Sequence, residues 1–157
     1  MGALLLCTGC RPVSKTPPPP MAIPTPAPIH TDIAGLKRAI ALPRPPIAVV
    51  WQQTQVGDGS MGPSDSQLLA VLQYAPAEAD KIDQLARKRG KAQKGEVELR
   101  SWFPAPLRQK AVRLGDGRLV LRGDKLTPDD FAHLSLQNGF VLRVPNTPYI
   151  VVSLFTT

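Results

Sequence analysis

The chain has 157 residues, 43% of them hydrophobic, with a formal net charge of +7, which allows one domain and a tail. Eleven of its 18 prolines (Pro12, Pro17 to Pro20, Pro24, Pro26, Pro28, Pro43, Pro45 and Pro46) fall in one stretch, which excludes that stretch as a packed core and leaves 47–157 to form one. The basic balance, with a pI near 9.9, favours anionic partners without choosing among nucleic acid, phospholipid and acidic polymer.

The first ten residues read MGALLLCTGC and hold both cysteines, Cys7 and Cys10. One reading is a redox or metal CxxC. A redox pair needs a strand before it and a helix after it, and proline follows instead. A zinc site needs a second pair of ligands, and beyond the cysteines only His30 and His133 are available. The other reading is a resemblance: Leu4 to Cys10 is similar to the end of a bacterial lipoprotein signal. In that family an apolar run leads through small residues to the cysteine that is lipidated. The resemblance implies a truncated signal over 1–10, with Leu6 or Cys7, Thr8 and Gly9 as lipobox positions. It implies Cys10 as the acylated residue and the membrane as a partner through the acyl chains. Arg11, where that family's inner-membrane members carry Asp, implies an outer-membrane, periplasm-facing location. A working signal needs a basic start and roughly 7–15 apolar residues, so the expectation is a true start upstream of Met1.

Residues 11–46 form the next unit. From Arg11 to His30 the prolines fix φ and discourage helix in their predecessors. The expected conformation is disordered to polyproline II, rising about 3.1 Å per residue, so that twenty residues reach roughly 60 Å. A short helix is expected at 31–41, capped by Thr31, with Ile33, Leu36 and Ile40 on one side. It is free to dock on the domain or on a partner. It is too short and too charged to span a bilayer.

The third unit, 47–157, reads as an α+β domain. Strands are expected at 47–52, 67–74, 96–103, 118–122, 140–144 and 149–155. The strands at 67–74 and 149–155 are apolar on both faces, so both belong in the middle of a sheet. Helices are expected at 77–89, within 104–114, and from Thr127, where Thr caps and Pro128 takes the first position. The expectation is therefore a mostly antiparallel sheet of five to six strands with two or three short helices on one face. The loop 57–66 is rich in Gly, Ser and Asp. Its Asp58, Ser60, Asp65 and Ser66 offer oxygens for calcium at a spacing that matches no EF-hand.

Three features are candidates for function. Arg87, Lys88, Arg89, Lys91 and Lys94 form a candidate anion-binding patch, although cations also suit a helix C-terminus. Trp102 lies on the polar face of its expected strand and is a candidate partner contact. His133 follows Asp129 at i, i+4, an arrangement that could orient a base but is usually a surface pair. No nucleophile, phosphate-loop or zinc motif occurs, so neither a catalytic residue nor a metal site nor a cofactor is assigned, and the chain is not expected to be an enzyme. The basic run Lys81 to Lys94 contains no aromatic residue, which disfavours specific nucleic-acid readout. The leading expectation is a lipid-anchored cell-envelope protein that binds or scaffolds through its domain, engaging an envelope protein or an anionic polymer. The alternatives are an accessory subunit of a secretion or conjugation machine, and a cytoplasmic basic protein that contacts nucleic acid or an acidic partner.

Overall fold

The computed structural model describes residues 26–56 and 65–156. In chain order its elements are β1 (Ile29–His30), α1 (Ile33–Ala39), β2 (Ala48–Val56), β3 (Asp65–Gln73), α2 (Pro76–Arg89), β4 (Gln93–Glu98), α3 (Ala105–Arg108), β5 (Val112–Arg113), β6 (Leu119–Leu126), β7 (Asn138–Arg143) and β8 (Tyr149–Phe155). The strands form one antiparallel sheet in the order β1-β2-β3-β8-β7-β6-β4, with β5 also paired to β6. The class is α+β. Eight strands stand among the described residues instead of five to six. The two extra ones, β1 and β5, are two residues long, too short to leave a periodic signature.

The two strands that are apolar on both faces lie side by side at the centre. β3 pairs with β8 from Gln67↔Phe155 to Gln73↔Tyr149. Alternation along them feeds two cores. Leu68, Ala70, Leu72, Ile150, Val152 and Leu154 face Leu36 and Ile40 of the α1 region and Ala79, Ile82 and Ala86 of α2. Val71 and Val151 face the other way and join Val97, Leu121 and Leu142 under Phe103, in the turn before α3, and Leu107 of α3. The helices therefore cover both faces rather than one. A sheet whose central strands are apolar on both sides needs both covered, since each fully buried Leu or Ile contributes about 1.5–3 kcal/mol.

Local signals held where packing agreed with them. α2 starts at Pro76 and ends at Gly90, with Arg87, Lys88 and Arg89 in its last turn. α1 is capped by Asp32 rather than Thr31: the Gly35 N–H donates to Asp32 Oδ2 at 2.7 Å. The helix docks on the domain, with Leu36 fully buried and the Ala41 N–H donating to the Phe131 carbonyl at 3.0 Å. The tight reversal before β8 is present, with Asn146 at φ 56°.

The helix expected from Thr127 is absent. The Phe131 and Ala132 N–H groups both donate to the Pro128 carbonyl, at 2.7 and 2.9 Å, and the turn stops there. His133 then bridges Leu136, with Leu134 at φ 50°. Phe131 and Leu136 are both buried while Leu134 is 69% exposed. A helix would have placed Leu134 beside Phe131 and left Leu136 outside. The expected helix within 104–114 is only Ala105–Arg108, because Val112 pairs with Val120 as β5. The strand expected at 96–103 lies earlier, as β4.

Candidate functional site

The expected basic patch is built by the end of α2 and the start of β4. β6 runs beneath it and brings Asp124 opposite Lys94 in register. Asp124 receives Arg87 Nη2 at 2.6 Å and Lys94 Nζ at 2.6 Å. Arg87 Nε also meets Asp83 one turn earlier, at 2.7 Å. Arg89 pairs with Asp130 at 2.7 Å. Hydrogen bonds from Lys94 first and Arg87 second hold the Asp124 carboxyl below the usual carboxylate range. Asp83 first and Asp124 second raise the Arg87 guanidinium further above its ordinary value. Three of the five cations are thus neutralised by the fold. Lys88 and Lys91 are exposed and enter no ion pair among the described residues.

A cleft of about 530 Å³ opens beside this network, lined by Lys94, Gly95, Glu96, Arg122, Gly123 and Pro145. Gly95 and Gly123 oppose each other in register. The Cβ of any other residue at 123 would come 2.2 Å from the Arg143 carbonyl oxygen, so Gly123 is required for the close approach of β7. The tripeptide Arg122–Gly123–Asp124 lies within strand β6, where its glycine and aspartate both have structural work.

Trp102 is half-buried in a turn, not on a strand. Its ring meets Phe103 edge to face, 4.7 Å between centroids, and it packs against the core under α3. His133 sits in the bridge to Leu136, so the helical Asp–His spacing does not arise. Among the described residues no three His, Cys, Asp or Glu side chains gather as a metal site. No helix there is long and apolar enough to cross a membrane. Cys7, Cys10, Asp58 and Ser60 lie outside the described residues.

The structure also brings forward cations that the sequence reading passed over. Arg108, Lys110 and Arg113 are exposed on the α3–β5 segment, and none of them is in an ion pair among the described residues. Arg113 Nη1 donates only to the Gly117 carbonyl, at 3.1 Å. The signal was present as RQKAVR, 108–113, with no acid before Asp116.

Comparison with protein-family models, with curated proteins and with solved structures finds no match for this chain.

Proposed function

We propose that the chain is a lipid-anchored protein of the bacterial outer membrane, acylated at Cys10, whose α+β domain binds or scaffolds in the periplasm. The observation that carries this reading is the lipobox-like Leu4 to Cys10 followed at once by the proline-rich stretch. The way that stretch meets the domain supports it. Its last residues become β1, the outermost strand on one side of the sheet. An arm arriving there reaches the domain without crossing either core. Extended as polyproline II, at roughly 3.1 Å per residue, the 18 residues from Arg11 to Pro28 would reach about 56 Å. Several acyl chains on one cysteine make a stable anchor where a single chain would not.

Labelling cells with a fatty-acid analogue tests the reading. The full-length chain expressed from its natural upstream sequence should incorporate label. Cys10→Ser should abolish incorporation and Cys7→Ser should leave it intact. Unchanged labelling of Cys10→Ser, or a wild-type protein recovered without detergent and without label, would sink the anchor.

A further inference from the structure

We infer that the α3–β5–β6 corner is a docking surface for anionic phospholipid headgroups. Three exposed cations, Arg108, Lys110 and Arg113, fall within six residues, at most about 18 Å apart along the chain. The segment is folded tighter than that. The Lys110 N–H donates to the Leu107 carbonyl at 2.9 Å, and the Ala111 N–H to that of Arg108 at 3.3 Å. Of the acids nearby, Glu98 pairs with Arg100 and Glu96 with Arg122, and Asp116 is already committed to Arg118, whose Nε lies 2.7 Å from its carboxylate. Hydrogen bonds from the Arg118 backbone and side chain hold that carboxyl ionised well below its ordinary range. It therefore cannot neutralise the other three.

One exposed apolar side chain stands beside these cations. Leu119, 37% exposed, is opposite Arg113 in the β5–β6 register, so the two side chains share a face, while Val112 is opposite Val120 on the other face. Cations beside an exposed aliphatic suit a bilayer interface, where ammonium and guanidinium groups meet phosphates and the aliphatic reaches the acyl boundary. The corner offers no free aromatic for stacking on bases, since Trp102 is packed on Phe103, which argues against single-stranded nucleic acid. The α2 cluster is the poorer lipid surface, because its own carboxylates hold three of its cations.

Full-length protein carrying Cys10→Ser, which removes any acyl anchor, is sedimented with vesicles of phosphatidylglycerol and phosphatidylethanolamine or of phosphatidylcholine alone. Binding should require the anionic vesicles and fall steeply with salt. Arg108→Gln/Lys110→Gln/Arg113→Gln should lower partitioning about 100-fold, and the triple Glu variant by more. Lys88→Glu/Lys91→Glu should change it less than about threefold. Leu119→Ser should weaken vesicle binding severalfold and leave retention on heparin unchanged. The inference is overturned by binding to neutral vesicles alone, by no binding to either kind, by equal losses at the α2 lysines, or by a serine variant that weakens heparin and vesicles alike. The last result would mark a general polyanion site. Because Cys10 is already replaced, each of these outcomes leaves the anchor to be judged separately, by its own labelling.

Discussion

Arg143, at the end of β7, shows how one side chain fixes the C-terminal hairpin. Its Nη1 donates to the carbonyls of Val144 at 3.2 Å, of Tyr149 at 3.4 Å and of Thr147. Its Nη2 meets Asp80 on α2 at 3.0 Å. The two kinds of partner differ in weight. The guanidinium side chain is 14% exposed and Asp80 is 64% exposed. An exposed carboxylate contributes under about 1 kcal/mol, while donors that satisfy buried carbonyls are costly to remove. Arg143→Met should therefore lower stability by about 2–3 kcal/mol, read as the urea midpoint. Asp80→Asn should lower it by less than about 1 kcal/mol. Equal losses would show that the ion pair, not the turn, is the main contribution. Nothing in the sequence marks Arg143 as special. Its partners are carbonyls, which every residue has, and only the reversal at Pro145 to Pro148 aims them at one point.

At the scale of elements, α1 decides where the domain begins. Leu36 and Ile40 are buried to within 1% exposure. The Trp51 indole N–H donates to the Asp32 carbonyl at 3.2 Å, and the His30 ring stacks on Trp51 with centroids 4.4 Å apart. Residues 33–40, expected to lie outside the packed core with the rest of 11–46, are thus part of the core that covers β2 and β3. Leu36→Ala should cost about 2–5 kcal/mol. In a Trp102→Phe background, the Trp51 emission should shift red early in urea, as α1 undocks. A Leu36→Ala protein with an unchanged midpoint would mean that α1 contributes nothing to folding. The helix itself was legible, since its i, i+3, i+7 spacing is a strong signal. So were β3 and β8, because a run that is apolar on both faces has no other place to go. The turn at Thr127 was misread for a physical reason. Cap, proline and acids all favour a helix locally, but burial of Leu136 outweighs one turn of helical hydrogen bonds.

Across the whole molecule, charge is sorted rather than spread. Glu78, Asp80, Asp83, Glu96, Glu98, Asp116, Asp124 and Asp130 all pair with cations. The basic excess is left on α1, at Lys88 and Lys91, and at the α3–β5 corner. The sequence shows which segments are basic. It does not show which are neutralised, because Asp124 and Asp130 come from 30 to 41 residues away: 124 − 94 = 30 and 130 − 89 = 41. This separates the site that was legible as a charge run from the one that remains charged once folded. Asp124→Asn should free Lys94 and the Nη2 of Arg87, whose Nε stays on Asp83, and raise retention on heparin. Its effect on stability has a definite sign. The folded carboxyl is held below its ordinary value, so its contribution is present above about pH 4, where the unfolded group ionises, and disappears as pH falls through the lower folded value. The gap between wild type and Asp124→Asn, below about 1 kcal/mol at neutral pH for partly exposed pairs, should therefore close in acid. A gap that widened on acidification would contradict the assignment.

The entry of the arm through β1 has a mechanical side. β1 holds to β2 over two residue pairs, Ile29↔Gln52 and His30↔Trp51, with a further bond from Gln52 Nε2 to the Ala27 carbonyl at 2.6 Å. A pull on the N-terminal side of the domain loads those few bonds first. Behind them stands α1, held by apolar contact that must be stripped as a block. β3 and β8 lie two and three strands further in. Tension along the arm should thus yield in two stages, a weak release of β1 and then a stiffer loss of α1, before the central strands bear any load. In a force-extension trace the domain would lengthen slightly twice before it unfolds.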